Sequence, residues 1–248
     1  MTMNEKEQYA LEWSKSAEYF HENNSYNHLS EQIKKYHRVL EIGCGTGQST
    51  LALLKEGHTV IAVDQNPYCI IKSKELIRAA GYNICESVKD ISQNSVCFLE
   101  YDVSSPAFLD SILPMLELDI VICWNMGTYW DKEKTENIVP KMLVYGLTIN
   151  QIRENFESSY CELIIWYACK IAAQKKCAVN IVDRGIKKLT ERNDPYYYKL
   201  KDEFGFSRID YYNIKSTTLS VGGRQLVTSG TVNTEHVLPI VFISVIIR

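Results

Sequence analysis

The sequence predicts an α/β fold in three layers, a mostly parallel sheet with helices on both faces, and three observations carry that expectation. Short runs rich in β-branched residues alternate with longer amphipathic runs along the first two thirds of the chain. The strand-like runs are apolar nearly throughout, as strands covered on both faces must be. A turn carrying Gly43, Gly45 and Gly47 joins the first of these runs directly to the helix-like run after it.

Residues 5–34 place Tyr9, Trp13, Ala17 and Phe20 at helical spacing, and the polar break at Asn23, Asn24 and Ser25 divides this helical N-terminal cap in two. Residues 38–42 form the first strand and 48–55 the first helix of the alternation, stopped at Gly57. The cycle repeats with a strand at 59–63 and a helix from Pro67 to Ala80 that ends at Gly81. Strands at 96–101 and 119–124 follow, with a short helix around 108–116 between them.

Beyond Trp124 the rhythm is interrupted. Thr148 and Gln151 have the spacing of a capping box, and the stripe Ile149, Ile152, Phe156, Tyr160, Leu163, Tyr167, Ile171 predicts one continuous helix leading to a strand at 178–182. The ending differs in kind: a strand at 207–214, two short runs at 217–221 and 224–228 flanking a tight turn at Gly222 and Gly223, then an apolar strand at 240–247 entered from Pro239. Such a hairpin gives a parallel sheet an antiparallel finish.

A chain of 248 residues with 46% apolar side chains can bury one sizeable core, so residues 1–248 are read as a single domain. Its net charge of -3 supplies no global attraction to a phosphate backbone, which disfavours a nucleic-acid substrate. The eight cysteines lie mostly in apolar runs and form no CxxC pair with a nearby histidine, so reduced core thiols, a cytoplasmic protein and no metal site are expected. The Met1 end lacks an apolar export segment and the run at 237–247 is too short to cross a bilayer, so no membrane partner is expected.

The glycine turn carries the chemistry. In Val39-Leu40-Glu41-Ile42-Gly43-Cys44-Gly45-Thr46-Gly47 the glycines recur at spacing two rather than in the GxGxxG pattern of dinucleotide binders. Open backbone N–H groups at a strand-to-helix junction suit a carboxylate, whereas Glu41 repels pyrophosphate and attracts an ammonium group. The pair therefore favours an amino-acid moiety over a dinucleotide. Asp64 ends the second strand, where it can accept from ribose hydroxyls, and Asp102 ends the third. Three acids at strand carboxyl ends stand where open α/β sheets bind ligands.

Glu41 through Gly47, with Asp64 and Asp102, resembles the successive cofactor motifs of class I S-adenosylmethionine-dependent methyltransferases, over roughly residues 36–125. The resemblance implies a Rossmann-like, seven-stranded sheet whose last strand is antiparallel. It implies S-adenosyl-L-methionine as cofactor and S-adenosyl-L-homocysteine as product. It also implies binding by Glu41, Gly43, Cys44, Gly45 and Gly47 at the methionine end, Asp64 and Gln65 at the ribose, Asp102 and Val103 at the adenine, and Trp124 beside the donor methyl. The fourth strand lacks the Asn-Pro-Pro-aromatic tetrapeptide of members that methylate planar nitrogens.

On this reading residues 1–35 are the cap, 36–125 the cofactor-binding half and 126–248 the acceptor-side half. The expected activity is methyl transfer to a small-molecule acceptor by in-line displacement, with the acceptor pocket built by the cap, residues 125–150 and the 184–230 region. Asn125, Tyr129 and Asp131 are the candidate catalytic residues, with Trp130 beside them. Protein or RNA methylation, a catalytically silent S-adenosylmethionine-binding subunit or sensor, and a nicotinamide-dependent oxidoreductase are the alternatives, and a homodimer is left open. The basic residues Arg184, Lys187, Lys188 and Arg192, followed by Tyr196, Tyr197 and Tyr198, are read as a solvated helix face with packing tyrosines.

Overall fold

The computed structural model describes residues 4–124, 132–220, 227–228, 231–232 and 236–248. Helices α1 (Glu5–Glu22) and α2 (Ser25–Gln32) precede the first strand, β1 (Arg38–Ile42). The alternation then runs α3 (Gln48–Lys55), β2 (Thr59–Asp64), α4 (Pro67–Ala79), β3 (Asn83–Cys85), β4 (Ser95–Glu100) and β5 (Ile120–Trp124). Helices α5 (Thr135–Tyr145), α6 (Ile149–Glu154) and α7 (Phe156–Lys175) lead to β6 (Ala178–Gly185) and α8 (Tyr197–Glu203). The chain ends with β7 (Ile209–Leu219), β8 (Val227–Thr228), β9 (Thr231–Val232) and β10 (Val237–Ile247).

Eight strands form one sheet in the order β3-β4-β2-β1-β5-β6-β10-β7. Pairings from β3 across to β6 are parallel, and β10 is antiparallel to both its neighbours. The seven expected strands are present. The eighth, β3, is a three-residue edge strand, too short to show an alternation in sequence. Parallel strands hydrogen-bonded on both sides and covered on both faces are buried: all five residues of β5 are. Leu40, Ile42, Val121 and Cys123 pack under α5 and α7 on one face. Val39, Val60, Ile120 and Ile122 pack with α2, α3 and Phe20 of α1 on the other.

The tertiary structure corrects the sequence reading at three places. Residues 217–219 continue β7, which pairs with β10 along its whole length from Ile209↔Ile247 to Leu219↔Val237. The tight pairing within the excursion between them is Val227↔Val232 and Thr228↔Thr231, while Gly222 and Gly223 lie outside the described residues. The helix expected as continuous from Ile149 breaks at Asn155, whose extended backbone ends α6 and whose side chain accepts from Ser158 N at 3.0 Å to start α7; the capping box at Thr148 and Gln151 is present. The short helix expected around 108–116 is present, as a π-helical turn over 107–112 followed by a 3₁₀ turn over 113–115. Arg184 belongs to β6 and Lys187 and Lys188 to an exposed connection, so the basic cluster is not a helix face, although Tyr197 does pack, 5% exposed.

Helix α1 is tied down near both ends. Asn66 Nδ2, ahead of α4, donates to Lys6 O at 2.9 Å. The hydroxyls of Tyr19 and Thr217 meet at 2.6 Å, and Phe20 meets Phe242 of β10 edge-on at 5.2 Å. The inward stripe of this cap thus spans from the glycine turn to the antiparallel end of the sheet. All eight cysteines are free thiols, six of them buried. No helix among the described residues is long and apolar enough to cross a membrane.

Candidate functional site

Parallel pairing brings the carboxyl ends of β1, β2 and β4 to one edge, and a cleft opens there. Gly43 and Gly45 line it after β1, Asp64 and Gln65 after β2, and Tyr101, Asp102 and Val103 after β4. Across from them stand Tyr9 and Trp13 of α1 and Tyr160 and Ile164 of α7.

Backbone conformation explains why the turn needs glycine. Gly45 has φ +55, and a Cβ there would lie 2.7 Å from Trp13 Nε1, so the indole rests directly on the turn. Gly47 has φ +93, and its Cβ would lie 2.9 Å from the Ser73 backbone, which sets the close approach of α3 to α4.

The amides of the turn do not serve as an open anion cradle. Gly43 N and Cys44 N both donate to Val63 O, at 2.8 and 3.2 Å, Gly47 N donates to Cys44 O at 3.1 Å, and Gly45 N donates to Asp64 Oδ2 at 3.0 Å. The bonds to Val63 and Asp64 hold β1 to β2, the bond from Gly47 N closes the turn on itself, and the glycine backbone faces the cleft.

Asp64 is the centre of this arrangement. Its Oδ1 accepts from Asn66 N at 2.8 Å while Oδ2 takes Gly45 N, so one carboxylate fixes the glycine turn and the start of α4 together. Burial pushes its carboxyl up to about 6, against the backbone N–H bonds that favour the anion. Asp102 accepts from Ser104 N at 2.8 Å and faces the cleft. Lys141 of α5 donates to Ser104 O and Oγ at 2.8 and 2.9 Å, tying that loop to the helix.

Glu41 is not brought to the cleft. It is 2% exposed, and Ser49 and Thr50 of α3 both donate to its carboxylate, Thr50 at 2.6 Å. Burial pushes its carboxyl up to about 7. Through these bonds Glu41 fastens the strand to the helix after the turn. Cys44 and Gly47 also sit behind the cleft wall, and Trp124 donates to Asn180 Oδ1 at 2.6 Å inside the core. Gly43, Gly45, Asp64, Gln65, Asp102 and Val103 do reach it. Asn125, Tyr129, Trp130 and Asp131 lie outside the described residues.

Sequence reasoning missed Tyr9, Trp13, Tyr160 and Ile164 as residues of this site. Gln65 Nε2 donates to Tyr160 OH at 3.0 Å, so α7 is hydrogen-bonded to the strand-end wall. Tyr9, Trp13 and Tyr160 lay in the apolar stripes of helical periodicity, Ile164 did not, and the cap was expected at the acceptor pocket. Nothing local to those helices says that their apolar faces roof this cleft.

Comparison with known proteins agrees with the geometry. A family model described as a methyltransferase domain matches residues 39–143. A curated relative, the probable ribosomal RNA small subunit methyltransferase A of Methanosphaera stadtmanae, is 32% identical over 113 residues. That match covers 41% of each chain, so the present chain spans about two fifths of the relative's length. Among solved structures, a Bacillus halodurans protein assigned as a methyltransferase has a TM-score of 0.51 at 13% identity, over 90% of this chain and 97% of that one. The magnesium protoporphyrin IX methyltransferase of Synechocystis, solved with S-adenosylhomocysteine, has a TM-score of 0.47 at 12% identity, over 92% and 83%. The protein thus has the Rossmann-like fold seen in that Bacillus halodurans structure, and residues 39–143 match the methyltransferase-domain model.

Proposed function

We propose that the protein is an S-adenosylmethionine-dependent methyltransferase that acts on a small-molecule acceptor as a single catalytic unit in the cytoplasm. One observation carries the reading: in a chain matching a methyltransferase domain, Gly45, Asp64 and Asp102 face one cleft from the ends of adjacent parallel strands. S-adenosylmethionine supplies a methyl group on a cationic sulfur that is already a good leaving group. The residues present suit it. Asp64 and Asp102 offer carboxylates to hydroxyl and amino donors, and the rings of Tyr9, Trp13, Tyr101 and Tyr160 line a cleft fit for a cation.

What the protein itself contributes is position and dryness. The bonds from Gly45 N and Asn66 N hold Asp64 without help from a ligand, so little ordering is left for the moment of binding. Trp13, Tyr9 and Ile164 exclude water from the strand ends. Asn125, Tyr129 and Asp131, just past β5, complete the acceptor side in this reading, with catalysis by in-line positioning.

The test is calorimetric. The protein binds S-adenosylmethionine or S-adenosylhomocysteine and not NAD, and Asp64→Ala costs about 1.5–3 kcal/mol of that binding. A loss below a few tenths, or binding of NAD alone, removes the reading. Once the acceptor is known, Asn125→Ala and Tyr129→Phe lower kcat/KM at unchanged donor affinity and unchanged Tm. A ribosomal RNA acceptor is the second reading, favoured by the 32% identity to the archaeal relative and opposed by the net charge of -3. Salt-dependent retention of a small-subunit RNA fragment would raise it above the first.

A further inference from the structure

The cofactor cleft is nearly closed. Apart from its open mouth it encloses about 50 Å³, room for a few water molecules, whereas small-molecule sites take about 300–1,000 Å³. The Trp13 indole lies so close on the glycine turn that a Cβ at Gly45 would stand 2.7 Å from its Nε1, and no layer of ligand fits between them. One wall has to move before an adenosyl group reaches the strand ends.

The strand-end wall is fixed by the bonds to Asp64, and α7 is built into the core, with Leu163, Ala168, Cys169, Ile171 and Ala172 fully buried. Helix α1 differs between its two halves. Its last turns are anchored beyond the cleft, where the Tyr19 and Thr217 hydroxyls meet and Phe20 packs on Phe242. Its first turns leave Glu5 and Gln8 exposed and Lys6, Glu7 and Tyr9 half-buried. They are held by the bond from Asn66 Nδ2 to Lys6 O and by a clasp, Glu5 Oε1 to Lys132 Nζ at 2.5 Å. Both partners of the clasp are mostly exposed, at 63% and 64%, so it is weak enough to open. Between the halves Ser14 Oγ donates to Leu11 O at 2.8 Å, and such back-bonding weakens and bends a helix.

We infer that the first half of α1, residues 5–13, is a lid hinged at Ser14. In the free protein it keeps the Trp13 indole on the glycine turn, it swings out to admit the donor, and it recloses over the ligand with Glu5 again on Lys132. The inference rests on the methyltransferase reading and adds to it an order of events. Lys132 opens a 3₁₀ turn one residue past the candidate catalytic Asp131, so the donor enters before the acceptor side is closed, and release of S-adenosylhomocysteine waits on the lid.

Hydrogen exchange and the kinetics of S-adenosylhomocysteine binding test this together. In the free protein the amides of residues 9–13 exchange about tenfold faster than those of 17–22, and saturating S-adenosylhomocysteine slows the first group about tenfold while leaving the second unchanged. Fraying of the helix end alone would leave the ligand without effect. Glu5→Lys, an exposed change that leaves the core intact, speeds S-adenosylhomocysteine dissociation about threefold, Lys132→Glu in the same chain restores the wild-type rate, and 1 M NaCl removes the difference. Even exchange along α1 with and without ligand overturns the inference, as does a Glu5→Lys dissociation rate that is unchanged or is not restored by the charge swap. Absence of any S-adenosylhomocysteine binding at equilibrium brings down the methyltransferase reading instead, and the exchange pattern of the free protein reads the lid's opening separately.

Discussion

The two walls of the cofactor cleft are built in different ways. The strand-end wall comes from residues 42–65 and 101–103, and its bonds run between near neighbours: Asp64 reaches back to Gly45 and forward to Asn66. The opposite wall comes from α1 and α7, whose Trp13 and Tyr160 are far apart in the chain and meet the cleft through tertiary packing, with a hydrogen bond from Gln65 to Tyr160. The first wall is hydrogen-bonded and preorganised. The second depends on the global fold, so damage to the two should register differently in binding and in stability.

The largest effect should come where the walls touch. Gly45→Val forces a branched side chain into left-handed backbone and into the Trp13 indole. Binding of S-adenosylhomocysteine should be abolished by calorimetry, with a lowered Tm. An unaffected variant would mean that the turn is not the ligand surface.

Trp13→Ala tests the packed wall alone. The side chain is 5% exposed, so its loss should cost about 3–5 kcal/mol of unfolding free energy, read from denaturant titration, together with weaker ligand binding. A variant that loses stability but binds as before would show that the roof is structural only.

The strand-end wall has its own signature in pH. Glu41 and Asp64 have carboxyls raised by burial, to about 7 and about 6, above their unfolded values of 4.5 and 3.8. Between those limits the native state holds more protons than the unfolded chain, so stability is highest below about pH 4 as far as these two groups are concerned, and falls as pH rises towards 7. Glu41→Gln should flatten the upper part of that decline in a pH series of Tm values. A wild-type Tm that rises across the same window, with no difference in the variant, would contradict the upward shift of these buried carboxyls.

The smallest effect should be at Tyr160→Phe, which removes the hydroxyl that accepts from Gln65 Nε2. A loss of about 0.5–1.5 kcal/mol in ligand binding, with Tm nearly unchanged, is the expected result. A loss as large as that of Asp64→Ala would make the hydroxyl part of the ligand's own surface.

What the sequence by itself determined is the local half of this protein. Strand-and-helix alternation, the glycine turn and the acids at positions 64 and 102 are written within short stretches, because β-branched runs, positive φ and strand-end carboxylates are each properties of a few adjacent residues. The break at Asn155 and the edge strand at Asn83–Cys85 escaped because the apolar stripe runs across the first and the second is too short for a period. Only the tertiary structure decided which way the site residues turn. Glu41 alternates away from the cleft into bonds with Ser49 and Thr50, and the amides of Gly43, Cys44 and Gly45 are taken by Val63 and Asp64. Trp13 and Tyr160 reach strand ends from which they are distant in sequence. The physical reason is that side-chain direction at a sheet edge depends on pairing register and on what packs across it, and a parallel sheet takes both from residues far along the chain.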